Sequence, residues 1–128
     1  MRVLIGLCLS LLLLGCQTGG LYDGLPKELV QQTKVFEDIV RWRDLRKMYL
    51  FGKPDADWQV QQGLENIRVN GYDAGSLREL APGRWGQTVL ISYVLVDRQV
   101  VKQVLDQQIW VSDDKGKTWY RENLPPQF

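Results

Sequence analysis

The sequence predicts an α+β fold, with one long N-terminal helix packed on a curved antiparallel sheet of about four strands. Three observations carry that prediction. Apolar residues recur at helical spacing between Pro26 and Phe51. From Ile67 onward they alternate with polar residues, which is the period of a strand. A helix of this kind and a sheet with one apolar face each need the other as cover.

The elements follow in order. Pro26 suits a first helical turn, and Glu28 sits beside the positive end of the helix dipole. In helical projection Leu29, Val35, Phe36, Ile39, Val40, Trp42, Tyr49 and Leu50 share one broad arc. Lys34, Glu37, Asp38, Arg41 and Asp44 take the other side, with Glu37 and Arg41 spaced to pair at i,i+4. The helix is expected to run to Phe51 and stop at Gly52-Lys53-Pro54. The polar stretch 55–63, with Trp58 and Val60 isolated in it, predicts no definite element.

Ile67 and Val69 then alternate with Arg68 and Asn70, and Ser76 to Leu80 reads as a continuation of that strand before a Pro82-Gly83 turn. Trp85 to Val96 carries apolar residues on both faces: Val89, Ile91, Tyr93 and Leu95 on one, Leu90, Val94 and Val96 on the other. That predicts a central strand. Asp97-Arg98 supplies a reversal. In the next strand Val101, Gln103, Leu105, Gln107, Ile109 and Val111 are expected to form the buried face, with Lys102, Asp106 and Gln108 on the wetter one.

The segment Ser112-Asp113-Asp114-Lys115-Gly116-Lys117-Thr118-Trp119 resembles the Asp-box of sialidases and related β-propellers. In those families the motif braces a hairpin and takes no part in catalysis. The physics of the residues agrees: an Asp side chain can bond turn N–H groups, Gly accepts positive φ, and Trp packs beneath. Ser112, Asp114, Gly116, Thr118 and Trp119 are therefore expected to brace the last reversal. The weighed alternative is a Ca²⁺ site at Asp113 and Asp114, which two carboxylates serve poorly. One copy of the motif in 128 residues is far from a propeller.

Ahead of the domain, Met1-Arg2 and the apolar run Val3 to Gly15 have the layout of a secretory signal. As a helix the run would reach ~20 Å, short of the ~30 Å bilayer core. Leu13-Leu14-Gly15-Cys16 resembles the lipobox of bacterial lipoproteins, although Leu14 replaces the usual small residue. The resemblance implies cleavage between Gly15 and Cys16 and attachment of lipid to Cys16; a buried first helix is the alternative. Gln17, where an Asp would favour the inner membrane, implies an outer-membrane anchor facing the periplasm. The organisation expected is a signal peptide over 1–15, a lipidated Cys and flexible tether over 16–24, and one α+β domain over 25–128.

Over 25–122 the order of elements resembles cystatin-like and NTF2-like folds, and with the lipobox and the Trp110/Trp119 pair it resembles small proteobacterial lipoproteins of unknown function.

Composition narrows the chemistry. With 16 Lys+Arg against 15 Asp+Glu, no broad basic footprint for nucleic acid is present. The chain has no His and two Cys, so the commonest general base and the Cys/His zinc frameworks are missing. No cofactor or metal is expected. Asp73, Asp106 and Glu65 could face a cleft, but no spacing makes them an acid/base pair, and the reading is non-enzymatic.

Two clusters remain. Arg43, Arg46 and Lys47 form the densest basic segment, either solvated stems or a patch for anionic lipid or an acidic partner. Trp42, Tyr49, Tyr93 and Trp110 either fill the core and an interface or line an NTF2-like ligand pocket. Alternating Gln103 and Gln107 suit a solvated face or an edge paired with another subunit. The function expected is a lipid-anchored accessory module whose partner is another envelope protein or a second copy of itself, with a small-ligand carrier as the alternative.

Overall fold

The computed structural model describes residues 24–42 and 44–128. The expected signal peptide, the Cys16 lipid site and Arg43 lie outside the described residues.

Helix α1 spans Lys27–Trp42 and buries Leu29, Thr33, Phe36 and Val40. That spacing of three and four makes a single stripe. Three residues assigned to the arc lie outside it: Val35 is exposed, Trp42 is 73% exposed and Leu50 is 77% exposed. The helix also stops earlier than Phe51. Asp44 adopts an extended backbone and its side chain accepts from the Arg46 N–H at 3.0 Å, capping a separate 3₁₀ helix over Leu45–Phe51. The physical reason is in the spacing of Leu45, Met48 and Phe51, all buried. Residues three apart eclipse one another at 3.0 residues per turn, whereas an α-helix would fan them over about 120°. Gly52 ends this segment with φ −69°, an ordinary extended conformation rather than a left-handed cap.

A short 3₁₀ turn at Leu64–Asn66 leads into the antiparallel sheet. Its strands are β1 (Ile67–Ala74), β2 (Arg78–Ala81), β3 (Arg84–Leu95), β4 (Val100–Val111) and β5 (Tyr120–Arg121). The spatial order is β1-β3-β4-β5, with β2 also on β3, so the sheet has five strands instead of about four. β1 and β2 share one edge of β3: β1 pairs from Leu95 to Val89 and β2 from Gly86 to Arg84. The segment expected to continue β1 is thus a separate strand. Gly83 turns it back at φ +71°, and a Cβ there would lie 2.8 Å from the Ser112 carbonyl oxygen.

β3 is central, with Val89 and Ile91 in the core cluster that the helix covers and Tyr93 buried beside Phe128. The reversal to β4 is held by Asn66, whose side chain donates to Asp97 Oδ1 at 2.8 Å and accepts the Asp97 N–H at 2.9 Å. The faces of β4 are the reverse of the expectation. Asp106, Gln108 and Trp110 are buried, while Leu105 is 61% and Val101 66% exposed. Trp110 decides this. Its ring meets Phe36 and Phe51 edge to face at centroid distances of 5.7 and 6.1 Å, and Phe36 meets Phe51 at 5.0 Å. Burying the indole fixes the even-numbered residues inward, and strand alternation carries Asp106 and Gln108 in with it.

Candidate functional site

Beneath α1 the sheet holds a polar network built from β4 and β5. Arg121 is buried, donates through Nη1 to Asp106 Oδ2 at 2.8 Å and through Nη2 to Asp106 Oδ1, and gives its remaining bonds to the Asn123 and Leu124 carbonyls at 3.0 Å. Its guanidinium also lies 5.2 Å from the Phe36 ring centroid. Gln108 extends the network: its Oε1 accepts from Trp110 Nε1 at 3.0 Å, and its Nε2 donates to Asp106 Oδ2 at 3.0 Å and Tyr72 Oη at 2.9 Å. Indole can only donate and carboxylate only accept, so the orientation of the amide is unambiguous. Tyr72 therefore accepts, and its own O–H is left to donate elsewhere. Burial, reinforced by the nearby Asp106 and Glu37 charges, pushes the Tyr72 phenol well up.

Tyr72 opens onto a cleft of about 480 Å³ between the first half of α1 and the β1–β2 connection, lined among others by Val30, Thr33, Glu37, Leu77 and Gln87. None of the aromatic quartet singled out from the sequence lines it. Trp110 is core and Tyr93 packs edge to face on Phe128 at 5.0 Å. Tyr49 accepts the Gln61 N–H through its hydroxyl at 3.1 Å, and Trp42 faces solvent beside Arg41. The quartet does not converge.

Of the basic segment, Arg46 and Lys47 are described. Arg46 is paired with Asp44, Nη2 to Oδ2 at 2.6 Å, and that pairing holds the Asp44 carboxyl below its ordinary range and raises Arg46. Lys47 is exposed. The candidate acids are separated too: Asp106 is buried under the helix, while Asp73 is paired in register with Leu90 on the opposite face of the sheet. Glu65 lines a second hollow of about 400 Å³ beside Arg46.

At the last reversal Asp114 Oδ1 accepts from Thr118 N at 2.9 Å, Lys117 N at 3.1 Å and Ser112 Oγ at 2.8 Å. Trp119 Nε1 donates to the Gly116 carbonyl at 3.0 Å, with Gly116 at φ +84°. The Thr118, Ser112 and Lys117 bonds hold the Asp114 carboxyl down at about 2. Among the described residues no group of three or more His, Cys, Asp or Glu is placed to hold a metal ion.

Among the described residues no helix covers the second face of the sheet. On it Leu90 lies opposite Leu105, Val94 opposite Val101, and Gly86 opposite Ile109. Leu80 reaches the same face, since a Cβ on Gly86 would sit 3.1 Å from its Cδ1. The result is an apolar stripe across β3 and β4, with Ser92, Gln103, Thr88 and Gln107 between its rungs. The sequence pattern placed Val101, Leu105 and Ile109 inside because periodicity fixes which residues share a face, not which face is covered. Arg121 was missed altogether, and no local pattern flags it.

Fold and site together describe a small α+β domain whose buried polar groups satisfy one another and whose open sheet face is apolar. No family model matches the chain, and neither a curated protein nor a solved structure does.

Proposed function

We propose that this chain is a lipid-anchored, periplasm-facing envelope protein of the outer membrane that acts as a non-enzymatic interaction module. The observation that carries the interaction reading is the uncovered apolar stripe of β3 and β4, led by Leu105 and Val101. Exposed apolar rungs on a sheet face, here alternating with the Ser92/Gln103 and Thr88/Gln107 pairs, suit an association site. The anchoring half rests on Leu13-Leu14-Gly15-Cys16 and on Gln17. A non-enzymatic role is supported by Asp106, the deepest acid among the candidates, being fully engaged by Arg121 and Gln108. The order of helix and sheet favours the cystatin-like or NTF2-like arrangement as the nearest fold description.

Labelling cells with radioactive palmitate tests the anchor. The chain takes up label and floats with outer-membrane vesicles, and Cys16→Ser abolishes both; an unlabelled chain in the soluble fraction overturns the reading. A photo-crosslinker at Leu90 then tests the face, where capture of a defined adduct is expected and none from Asp38 on the helix.

The carrier reading keeps one observation of its own, the cleft beside Tyr72 with its undonated hydroxyl. A small ligand there would offer an acceptor to Tyr72 and meet a mixed lining that includes Val30 and Leu77 beside Lys34, Glu37 and Gln87. Native mass spectrometry of the purified chain reads it directly, a retained small molecule supporting it.

A further inference from the structure

Among the described residues the outer edge of β4 is open along most of its length. β5 pairs only with Trp110 and Val111. Beyond it, Asn123 closes two more positions, its Oδ1 accepting from Ile109 N at 3.0 Å and its Nδ2 donating to the Gln107 carbonyl at 2.6 Å. Glu122 N adds a bond to the Ile109 carbonyl at 2.8 Å. These bonds show that odd-numbered residues of β4 turn their main-chain groups outward. By strand alternation Val101, Gln103 and Leu105 do the same, and no further strand of the described residues pairs with them. The open stretch, Val100 to Asp106, has Gln103 at its middle.

We infer that this edge is where two copies of the chain join, β4 against β4, antiparallel about a two-fold axis at Gln103. The inference deepens the interaction reading above and rests on it for the working surface. Self-complementarity selects the occupant. About that axis Gln103 meets Gln103, and Val101 meets Leu105 of the other copy twice, all with outward main-chain groups, so each opposed pair exchanges both N–H···O bonds. The same side chains lie on the open face, so the alternation of apolar and polar rungs continues from one sheet into the next, with Val101 beside Leu105 on either side of a central glutamine pair. Moving the axis by one residue, to Val104, would set Val101 against Gln107 and Leu105 against Gln103, mismatching every rung. Asn123 caps the edge and limits any slide toward Ile109.

Charge points the same way. The outward residues Val101, Gln103 and Leu105 carry none, so a charged partner strand finds nothing to read, whereas a second copy finds its own pattern.

Size sets the strength. Seven residues make an edge ~24 Å long, well short of the roughly 20–30 residues a side of a standard stable interface. The contact is therefore weak in dilute solution and is raised by confinement of both copies to one membrane, where effective concentration replaces area.

Disulfide trapping in cells tests the register. Opposed residues of a bonded pair have Cα atoms ~5.5 Å apart, within disulfide range. The full chain carrying Gln103→Cys is expected to give a covalent dimer on mild oxidation, above the level of the unsubstituted chain, which controls for Cys8 and Cys16. Val101→Cys expressed with a differently tagged Leu105→Cys gives the mixed dimer, and Asp73→Cys on the far edge gives none. Adding Val101→Lys and Leu105→Lys to Gln103→Cys lowers the dimer at least tenfold, with far-ultraviolet circular dichroism unchanged. A Gln103→Cys chain that stays monomeric overturns the inference, as does an adduct of another mass or a Gln103–Leu105 mixed dimer in place of the Val101–Leu105 one. Membrane fractionation of the same cells reports on the anchor separately, so loss of the anchor and loss of the dimer are told apart.

Discussion

Arg121 and Asp106 form a buried ion pair beneath the helix, with Nη1 donating to Oδ2 at 2.8 Å and both side chains closed off from solvent. They are fifteen residues apart in sequence, on β4 and β5, and the pair ties the two-residue β5 to the core. A buried pair is weak evidence of net stabilisation, because desolvating two charges offsets most of their attraction. Breaking it is another matter. Asp106→Leu leaves a guanidinium buried without its counter-charge, and a loss of about 3–5 kcal/mol is expected. Arg121→Met costs a similar amount for the converse reason. The double substitution Asp106→Leu with Arg121→Met removes both charges and should cost far less than the two singles together. Urea denaturation of the four proteins measures this, and strict additivity would contradict it.

The break between α1 and the 3₁₀ helix makes a second prediction. Met48 is fully buried, whereas Leu50 is turned to solvent, although an unbroken α-helix from Pro26 would have placed Leu50 on the apolar arc. Met48→Ala is therefore expected to cost about 2–5 kcal/mol. Leu50→Ala should stay within about 0.5 kcal/mol of the parent. Equal losses would restore the continuous helix.

These two cases show what the chain makes legible. The helix start at Pro26, the central strand over Trp85 to Leu95 and the reversal at Asp97 are local, set by capping, periodicity and turn chemistry. The helix break was legible only in part: Asp44 is a good cap residue and Leu45, Met48 and Phe51 are three apart, but the same residues also satisfy a looser α arc. The face of β4 was not legible. Val101 and Leu105 look like core and Asp106 and Gln108 like surface until Arg121 and Tyr72, remote in sequence, are known to meet them. The four aromatic residues do not meet for a related reason, since Trp42 lies on the last turn of α1 while Trp110 faces its middle.

The Asp114 carboxyl gives a pH signature. Its bonds from Thr118, Ser112 and Lys117 favour the charged form, so its folded value of about 2 lies below the ordinary 3.8. A group depressed in this way contributes stability that is fully present above the unfolded value and is lost as pH falls through the folded one. Asp114→Asn keeps the acceptor oxygen and removes the charge. The stability gap between parent and variant is thus expected to be open above pH 4 and to narrow between about pH 4 and about pH 2. Thermal melts across that window measure it, with the carboxyl resonance of Asp114 titrating near 2. A gap that does not change with pH would mean that the turn needs the oxygen and not the charge.

Gly52 supplies the last prediction. Its φ of −69° suits any residue, so backbone freedom does not explain why glycine stands there. Space does. A Cβ at this position would lie 2.6, 2.8 and 3.0 Å from three ring carbons of Trp58. One side must move. Gly52 is bridged to Arg121, which the Asp106 pair holds, so the indole and the 53–63 loop that carries it are the side that yields. Gly52→Ala is expected to cost about 1–3 kcal/mol, the usual range for overpacking. Trp58 should report the displacement by a red-shifted emission relative to a Trp58→Phe reference. Combining Gly52→Ala with Trp58→Leu tests the cause, because the smaller side chain makes room for the methyl. The double variant should recover most of the loss relative to Trp58→Leu alone. If alanine costs as much without the indole as with it, the clash is not the reason for glycine, and the bridge to Arg121 would be the place to look next.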